Sequence, residues 1–228
     1  MCWSACYNGN VTRNRALLAG IVLVFVAVAM SAWAYPVLPD RVPTHWNMAG
    51  HVNGYSSRMF AVSFIPAVLA FTWLLMLVLP AISPRGFSLG ESAGAFYLAM
   101  LAVLALLFVV HWMILRSAAT REMPSLTLLL ALIGALFVLL GILVTKAKKN
   151  FWFGVRTPWA LASDVVWQRS NQFGGRLMAI GGVIIILASF WHAAGMMVLV
   201  ATVVVIGFAP IVYSYVIYRR IEGFDSES

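Results

Sequence analysis

Long apolar runs that are almost free of charge constrain this fold more than any other feature. A helix needs about twenty apolar residues to cross a bilayer, and four runs reach that length. They occupy residues 16–35, 60–82, 92–115 and 124–145. The stretch 177–218 is long enough for two more spans, joined by a tight turn near His192–Gly195. The sequence, 63% hydrophobic and 10% charged, therefore predicts an all-α integral membrane bundle of six transmembrane helices.

The distribution of Lys and Arg predicts how this bundle sits in the membrane. With the N-terminus in the cytoplasm, only four of the 15 Lys and Arg fall in outward loops, namely Arg41, Arg58, Arg116 and Arg121. Cytoplasmic loops of membrane proteins carry such an excess of basic residues. We therefore predict that both termini are cytoplasmic. The net charge of +8 then reflects this bias and contact with anionic membrane lipid, with no direct binding of nucleic acid.

This orientation divides the chain into five segments. They are a cytoplasmic tail (1–15), the first two spans with an extracytoplasmic loop at 36–59 (16–82), spans three and four (83–145), a cytoplasmic loop at 146–176 with spans five and six (146–218), and a cytoplasmic tail (219–228).

The polar stretch 150–176 reads as a shaped loop, not as a simple connector. Pro158 fixes its own φ and favours extended backbone at Thr157. Gly154 permits backbone conformations that are closed to other residues. Arg156 and Trp159 add a cation and a large aromatic ring to the same turn. We therefore place functional interest in this loop and in the earlier loop 36–59.

The second half of the same stretch predicts a short helix. Ser163 or Asp164 could cap a helix that runs toward residue 173. The simplest interpretation is an interfacial helix that leads into span five, with Trp167 at the lipid headgroups. A separate local interpretation is that Arg156 pairs with Asp164 and so fixes the loop.

The loop 36–59 is rich in Pro, Gly, Asn and His. Pro39 and Pro43 stiffen its start, and the residues that follow favour tight turns. His45 and His51 could bind a metal, but their spacing, without a carboxylate partner, favours a folded cap over the bundle, held by turns of Asx type. A role for this cap in recognition stays open, because folded loops on rigid scaffolds often bind ligands.

The spans themselves offer almost no group for catalysis. His111 and His192 are the ionisable side chains in or beside the apolar runs, and both lie near predicted span ends, where a solvated or hydrogen-bonded His is common. The sequence contains no HExxH, GxSxG or glycine-rich phosphate loop. We therefore predict a protein that is not an enzyme, with no catalytic residue, no metal site and no cofactor.

At these two loops the chain resembles the SdpI family of bacterial membrane proteins. The first loop is similar to a domain of unknown function that often precedes the family's core. Its pattern falls on Leu38, Pro39, Val42, Pro43, His45, Trp46, Asn47 and Gly50. The core pattern falls on Asn150, Gly154, Val155, Arg156, Thr157, Pro158, Trp159, Val166, Trp167 and Gly175. The chain departs from the family pattern at Asn53, where an acid is common, and at Ala160 and Asn171, where Thr and His are common.

The resemblance implies an immunity or signalling protein. Such a protein would confer resistance to a secreted antimicrobial peptide met at the outer loop, and could hold a transcriptional repressor at its cytoplasmic loop. The residues expected to bind are those of the two patterns: His45, Trp46, Asn47, Gly50, Asn150, Gly154, Arg156, Thr157, Pro158, Trp159, Trp167, Asn171 and Gly175. The alternative is a transporter or membrane enzyme that handles a lipid or small amphiphile, with Arg156 binding an anionic headgroup.

Overall fold

A computed structural model describes residues 2–47 and 52–223, and these residues form a helical bundle with one small hairpin. The elements, in chain order, are α1 (Cys2–Ala34), β1 (Arg41–Trp46), β2 (Val52–Ser57), α2 (Arg58–Ala81), α3 (Ala93–Thr120), α4 (Leu126–Thr145), α5 (Pro158–Ala162), α6 (Asp164–Ala188) and α7 (His192–Ile221). In these described ranges six helices, all except α5, are long and apolar enough to cross a membrane. The predicted fold class and number of spans are confirmed.

Four of the helices begin at a Ser or Thr side chain. Ser57, Ser125, Thr157 and Ser163 each accept a hydrogen bond from the backbone N–H three residues later. Such caps satisfy N–H groups that have no partner inside the helix. These side chains therefore set the start of α2, α4, α5 and α6. Of the two residues predicted as a cap for α6, Ser163 and Asp164, the structure shows Ser163 in that role.

Contacts between connections define two ends of the bundle. At the loop end, which holds the connections 82–92 and 146–163 and the end of α7, Ser92 Oγ and the backbone of Lys148 exchange two hydrogen bonds. Trp152 Nε1 also donates to Ser83 Oγ at 2.8 Å. The hairpin end holds β1, β2 and the connections 121–125 and 189–191. The final turn lies at 189–191, just ahead of the predicted His192–Gly195, because α7 already begins at His192.

The loop 36–59 contains a β-hairpin, where turns of Asx type were predicted. The strands β1 and β2 pair antiparallel, from Arg41 opposite Ser57 to Trp46 opposite Val52. The hairpin forms because Val42 lies fully buried against apolar residues of α2 and α3, and β-branched residues favour strands. At its base Arg58 forms an ion pair with Asp40, with 2.7 Å between nitrogen and oxygen. The hairpin therefore caps one end of the bundle.

Glycines bring α4 and α6 into backbone contact. A Cβ on Gly141 would lie 2.5 Å from Gly175 O, and one on Gly134 would lie 2.6 Å from Gly182 O. Small residues permit such close approach between membrane helices. These glycine contacts lie within one chain.

His111 lies inside the bundle rather than at its boundary, where it was predicted. Its side chain is fully buried, and Nε2 lies 2.8 Å from Ser31 Oγ. Ser31 Oγ in turn donates to Val62 O at 2.7 Å. This chain of contacts joins α3, α1 and α2, so the histidine is a structural link between helices.

The helix predicted near residue 163 is continuous with span five. α6 starts at Asp164 and runs without interruption to Ala188, so the predicted loop 146–176 is helical in its second half. Trp167, expected at the lipid headgroups, is only 3% exposed. The physical reason is that its indole Nε1 donates to Ala147 O at 2.9 Å, which holds the ring against the loop.

Candidate binding sites at the two ends of the bundle

Asn150 organises the first part of the loop end. Its side chain is fully buried. The amide oxygen accepts from the backbone N–H of Trp152 and Phe153 at 2.8 and 2.7 Å, and the amide nitrogen donates to Lys148 O and Phe153 O. All of the amide's polar capacity is used in turning the chain, so Asn150 shapes the loop and offers nothing to a ligand.

Asn171 on α6 holds the next part of the loop. Its Oδ1 accepts from Val155 N at 2.7 Å, and its Nδ2 donates to Trp167 O at 3.0 Å. The neighbouring Gly154 has a φ of 110°, a conformation that L side chains rarely adopt. A Cβ there would also collide with Asn171 Oδ1. Both the backbone angle and the close approach therefore require glycine.

The Thr157–Pro158–Trp159 turn is fixed against α7. Thr157 Oγ1 donates to Ser214 Oγ at 2.8 Å and caps α5, whose first residue is Pro158. The Trp159 ring meets the Tyr215 ring edge to face, with 5.1 Å between centroids. Ser163 Oγ donates to Glu222 Oε1 at 2.6 Å, which ties the loop to the end of α7. These contacts clamp the loop between α6 and α7.

The predicted pair of Arg156 with Asp164 is wrong. Asp164 pairs with Lys149 at 2.8 Å, whereas Arg156 donates from Nη1 to Phe151 O at 2.8 Å. The reason is local, because Asn150 turns the chain so that Phe151 O faces the arginine. The guanidinium is exposed to solvent, and its remaining N–H groups are available to an anion.

A cavity of about 640 Å³ lies behind this loop. We call it the loop-end cavity. Apolar residues of α4, α6 and α7, such as Leu140, Met178 and Ile206, form its walls, and Gly154, Arg156 and Thr157 stand at its rim. Volumes of 300–1,000 Å³ are typical of small-molecule sites.

A second cavity, of about 290 Å³, lies under the hairpin. We call it the hairpin-end cavity. His45 and Asn47 line its upper side, while Met113, Met123 and Met196 line the rest together with other apolar residues. His45 Nδ1 lies 2.5 Å from Asn53 Oδ1 across the hairpin. The histidine is therefore held by a neutral amide at the position where the family pattern has an acid.

Two known protein families match segments of the chain that include these two sites. The SdpI/YfhL protein family matches residues 146–214, which hold the connection 146–163, all of α6 and most of α7. A domain of unknown function, DUF1648, matches residues 22–70, which include the hairpin. Residues 146–214 of the chain therefore resemble the SdpI/YfhL family.

A curated relative extends this similarity over most of the chain. The chain is 24% identical over 208 residues to the immunity protein SdpI of Bacillus subtilis (strain 168), covering 90% of this chain and 97% of that protein. No solved structure matches the chain. Together with the six apolar helices, this places the protein as a multi-pass protein of the bacterial cell membrane.

The predicted binding residues separate into framework and exposed groups. Framework positions, buried or clamped in the loop end, are Asn150, Gly154, Thr157, Trp159, Trp167, Asn171 and Gly175. Arg156 and Pro158 are exposed there, and His45 and Asn47 line the hairpin-end cavity. Gly50 lies outside the described residues, as does the side chain of Trp46. Gly175 packs against Gly141, which indicates a role in helix contact.

Sequence reasoning missed the three methionines of the hairpin-end cavity. They come from α3, from the connection before α4 and from α7, so no local spacing connects them. The one weak sequence signal that they could meet is that each lies near the end of an apolar run. Only the topology, which brings those three run ends to the same side as the hairpin, places them together.

Proposed function

We propose that this protein protects a bacterial membrane by binding a secreted antimicrobial peptide at the hairpin end. In this proposal both termini face the cytoplasm, so the hairpin end meets the peptide outside the cell. The proposal makes the protein a binder and not an enzyme. The observation that carries it is the cavity beneath the hairpin, in a chain similar to an immunity protein over nearly its whole length.

The chemistry of this cavity suits a peptide side chain. Methionine is unbranched and polarisable, so Met113, Met123 and Met196 can adapt to apolar groups of different shapes. His45 and Asn47 supply polar atoms at the mouth, which can pair with the backbone of a bound segment. A volume of about 290 Å³ suits one or two large apolar side chains. Binding there would withdraw the peptide from the lipid.

The loop end fits a second role in the same proposal. Lys146, Lys148, Arg169 and Arg219 are exposed at or near this end, and it would face the cytoplasm. We propose that a transcriptional repressor contacts this surface when the peptide is bound. The clamps from the loop to α6 and α7 would carry the change, because α7 also contributes Met196 to the hairpin-end cavity.

Filling the hairpin-end cavity tests peptide binding. The protein is expressed in a sensitive bacterium, which is challenged with a panel of secreted antimicrobial peptides. Met196→Trp fills the cavity, while Met197→Trp changes the next residue, which is 65% exposed and does not line the cavity. Membrane abundance is measured by an affinity tag and matched between strains.

We expect the unsubstituted protein and Met197→Trp to protect against at least one peptide, and Met196→Trp to lose most of that protection. Equal protection by Met196→Trp at equal abundance would rule out the cavity as the peptide site. An absence of protection against every peptide would count against the immunity function itself.

A further inference from the structure

The loop-end cavity has the form of a site for a membrane amphiphile. α6 packs against both α4 and α7, which contact each other little, so a space remains between them. Leu140, Met178 and Ile206 on its walls belong to membrane-spanning segments. On the α7 side, Gly207 is exposed and Ile211 is 45% exposed. The cavity therefore opens sideways, toward the region that lipid chains occupy.

One charged side chain stands at the rim of this apolar space. Among the described residues that line the cavity, Arg156 alone carries a charge. Its bond from Nη1 to Phe151 O, at 2.8 Å, holds the guanidinium in place. The neighbouring Thr157 hydroxyl is already engaged with Ser214. Recognition of a polar head is therefore left to the arginine, whose planar fork of donors matches a phosphate group.

The surrounding charges favour an anion over a zwitterion. Two acids at the loop end are engaged elsewhere, since Asp164 pairs with Lys149 and Glu222 accepts from Ser163. The predicted cytoplasmic leaflet also carries a negative surface potential, set by anionic lipids. A soluble phosphate would leave the apolar walls of the cavity exposed to water, whereas the acyl chain of a phospholipid would cover them.

We propose that the loop-end cavity binds one anionic phospholipid of the adjoining leaflet, with its phosphate on Arg156 and an acyl chain between α4 and α7. The lipid would bridge the shaped loop and three helices. Its binding would thus stabilise the loop that the family core is built around. This site is separate from the peptide site, at the opposite end of the bundle.

The experiment measures lipid retention by the purified full-length protein. Native mass spectrometry counts bound lipid after incubation with phosphatidylglycerol or phosphatidylcholine of the same chains, or with inorganic phosphate. Thermal unfolding of the same samples reports stabilisation. Arg156→Gln removes the charge at the rim, and Arg169→Gln removes an exposed charge at the same end that does not line the cavity.

A second pair of variants tests the acyl part of the site. Gly207 lines the cavity, and a Cβ there meets nothing within 4 Å, so Gly207→Leu adds bulk at the cavity lining without a backbone clash. Ala201→Leu makes a similar small-to-large change at an exposed residue of α7 that does not line the cavity.

We expect one phosphatidylglycerol to be retained and to raise the unfolding temperature, while phosphatidylcholine and inorganic phosphate do neither. Arg156→Gln should lower the affinity for phosphatidylglycerol by about ten-fold, as expected for the loss of one charged hydrogen-bonding group. Gly207→Leu should abolish retention, and both control variants should bind as the unsubstituted protein does. Equal retention of both lipids, equal weakening by Arg169→Gln, or full binding by Gly207→Leu would each overturn the proposal.

Discussion

Asn171 Oδ1 accepts the backbone N–H of Val155 at 2.7 Å, and this bond fixes the shaped loop to α6. The asparagine is 1% exposed, so the bond is screened from water. Trp167, one helical turn earlier, fixes Ala147 on the same side. Two residues of one helix turn thus hold both ends of the segment 147–155, and the cavity rim depends on them.

Replacing Asn171 by Ala should loosen this loop. The change leaves the Val155 N–H without its partner in a partly buried site, and loss of such a partner costs about 1–3 kcal/mol. We expect a lower thermal unfolding temperature and faster proteolysis within residues 146–163. Gln168→Ala, at an exposed position of the same helix, is the control and should change neither. Unchanged proteolysis of Asn171→Ala would show that the loop is held by other contacts.

Replacing Gly141 by Ala should force α4 and α6 apart. The added Cβ would lie 2.5 Å from Gly175 O and from Ala179 N, and overpacking of this kind costs about 1–3 kcal/mol. Gly94→Ala is the matched control, because a Cβ at that helical glycine meets nothing within 4 Å. Unfolding in detergent should begin at lower temperature for the first variant only. A neutral Gly141→Ala would mean that the two helices are farther apart.

The coupling energy between Lys149 and Asp164 should be small. We expect no coupling energy between Arg156 and Asp164. The nitrogen and oxygen of the first pair are 2.8 Å apart, but the Asp164 side chain is 86% exposed, and exposed pairs contribute about 0–1 kcal/mol. Double-mutant cycles with alanine, read by chemical unfolding, measure both coupling energies. A larger coupling between Arg156 and Asp164 than between Lys149 and Asp164 would contradict the observed pairing.

Cysteine labelling should find the hairpin outside the cell. In a background with Cys2→Ser and Cys6→Ser, Tyr55→Cys places a thiol on the exposed face of the hairpin, and Arg169→Cys places one on the exposed face of α6. A membrane-impermeant maleimide should label the first variant in intact cells and the second only after lysis. The reverse pattern would invert the predicted orientation and move the peptide site to the cytoplasm.

Local pattern was enough for the spans and for the helix caps. Apolar length alone predicts α1 to α4, since a bilayer-spanning backbone must satisfy its hydrogen bonds internally. The cap at Ser163 was likewise predicted from the sequence, whereas the short helix α5 after Thr157 was not. The hairpin was missed because its strands are stabilised by burial of Val42 against α2 and α3, which no local pattern reveals. The pairing of Asp164 was missed because Lys149, although 15 residues away along the chain, reaches it through the fold of the loop, whereas Arg156 lies nearer in sequence.

The sequence by itself determined that this chain crosses a membrane six times, because runs of that length and apolarity have no other stable environment. It also determined which stretches turn, through Gly154, Pro158 and the capping hydroxyls. Only the tertiary structure decided what those turns are for. The residues that form each cavity come from separate spans, and their distances depend on how the helices pack, above all on the glycine contact of α4 with α6.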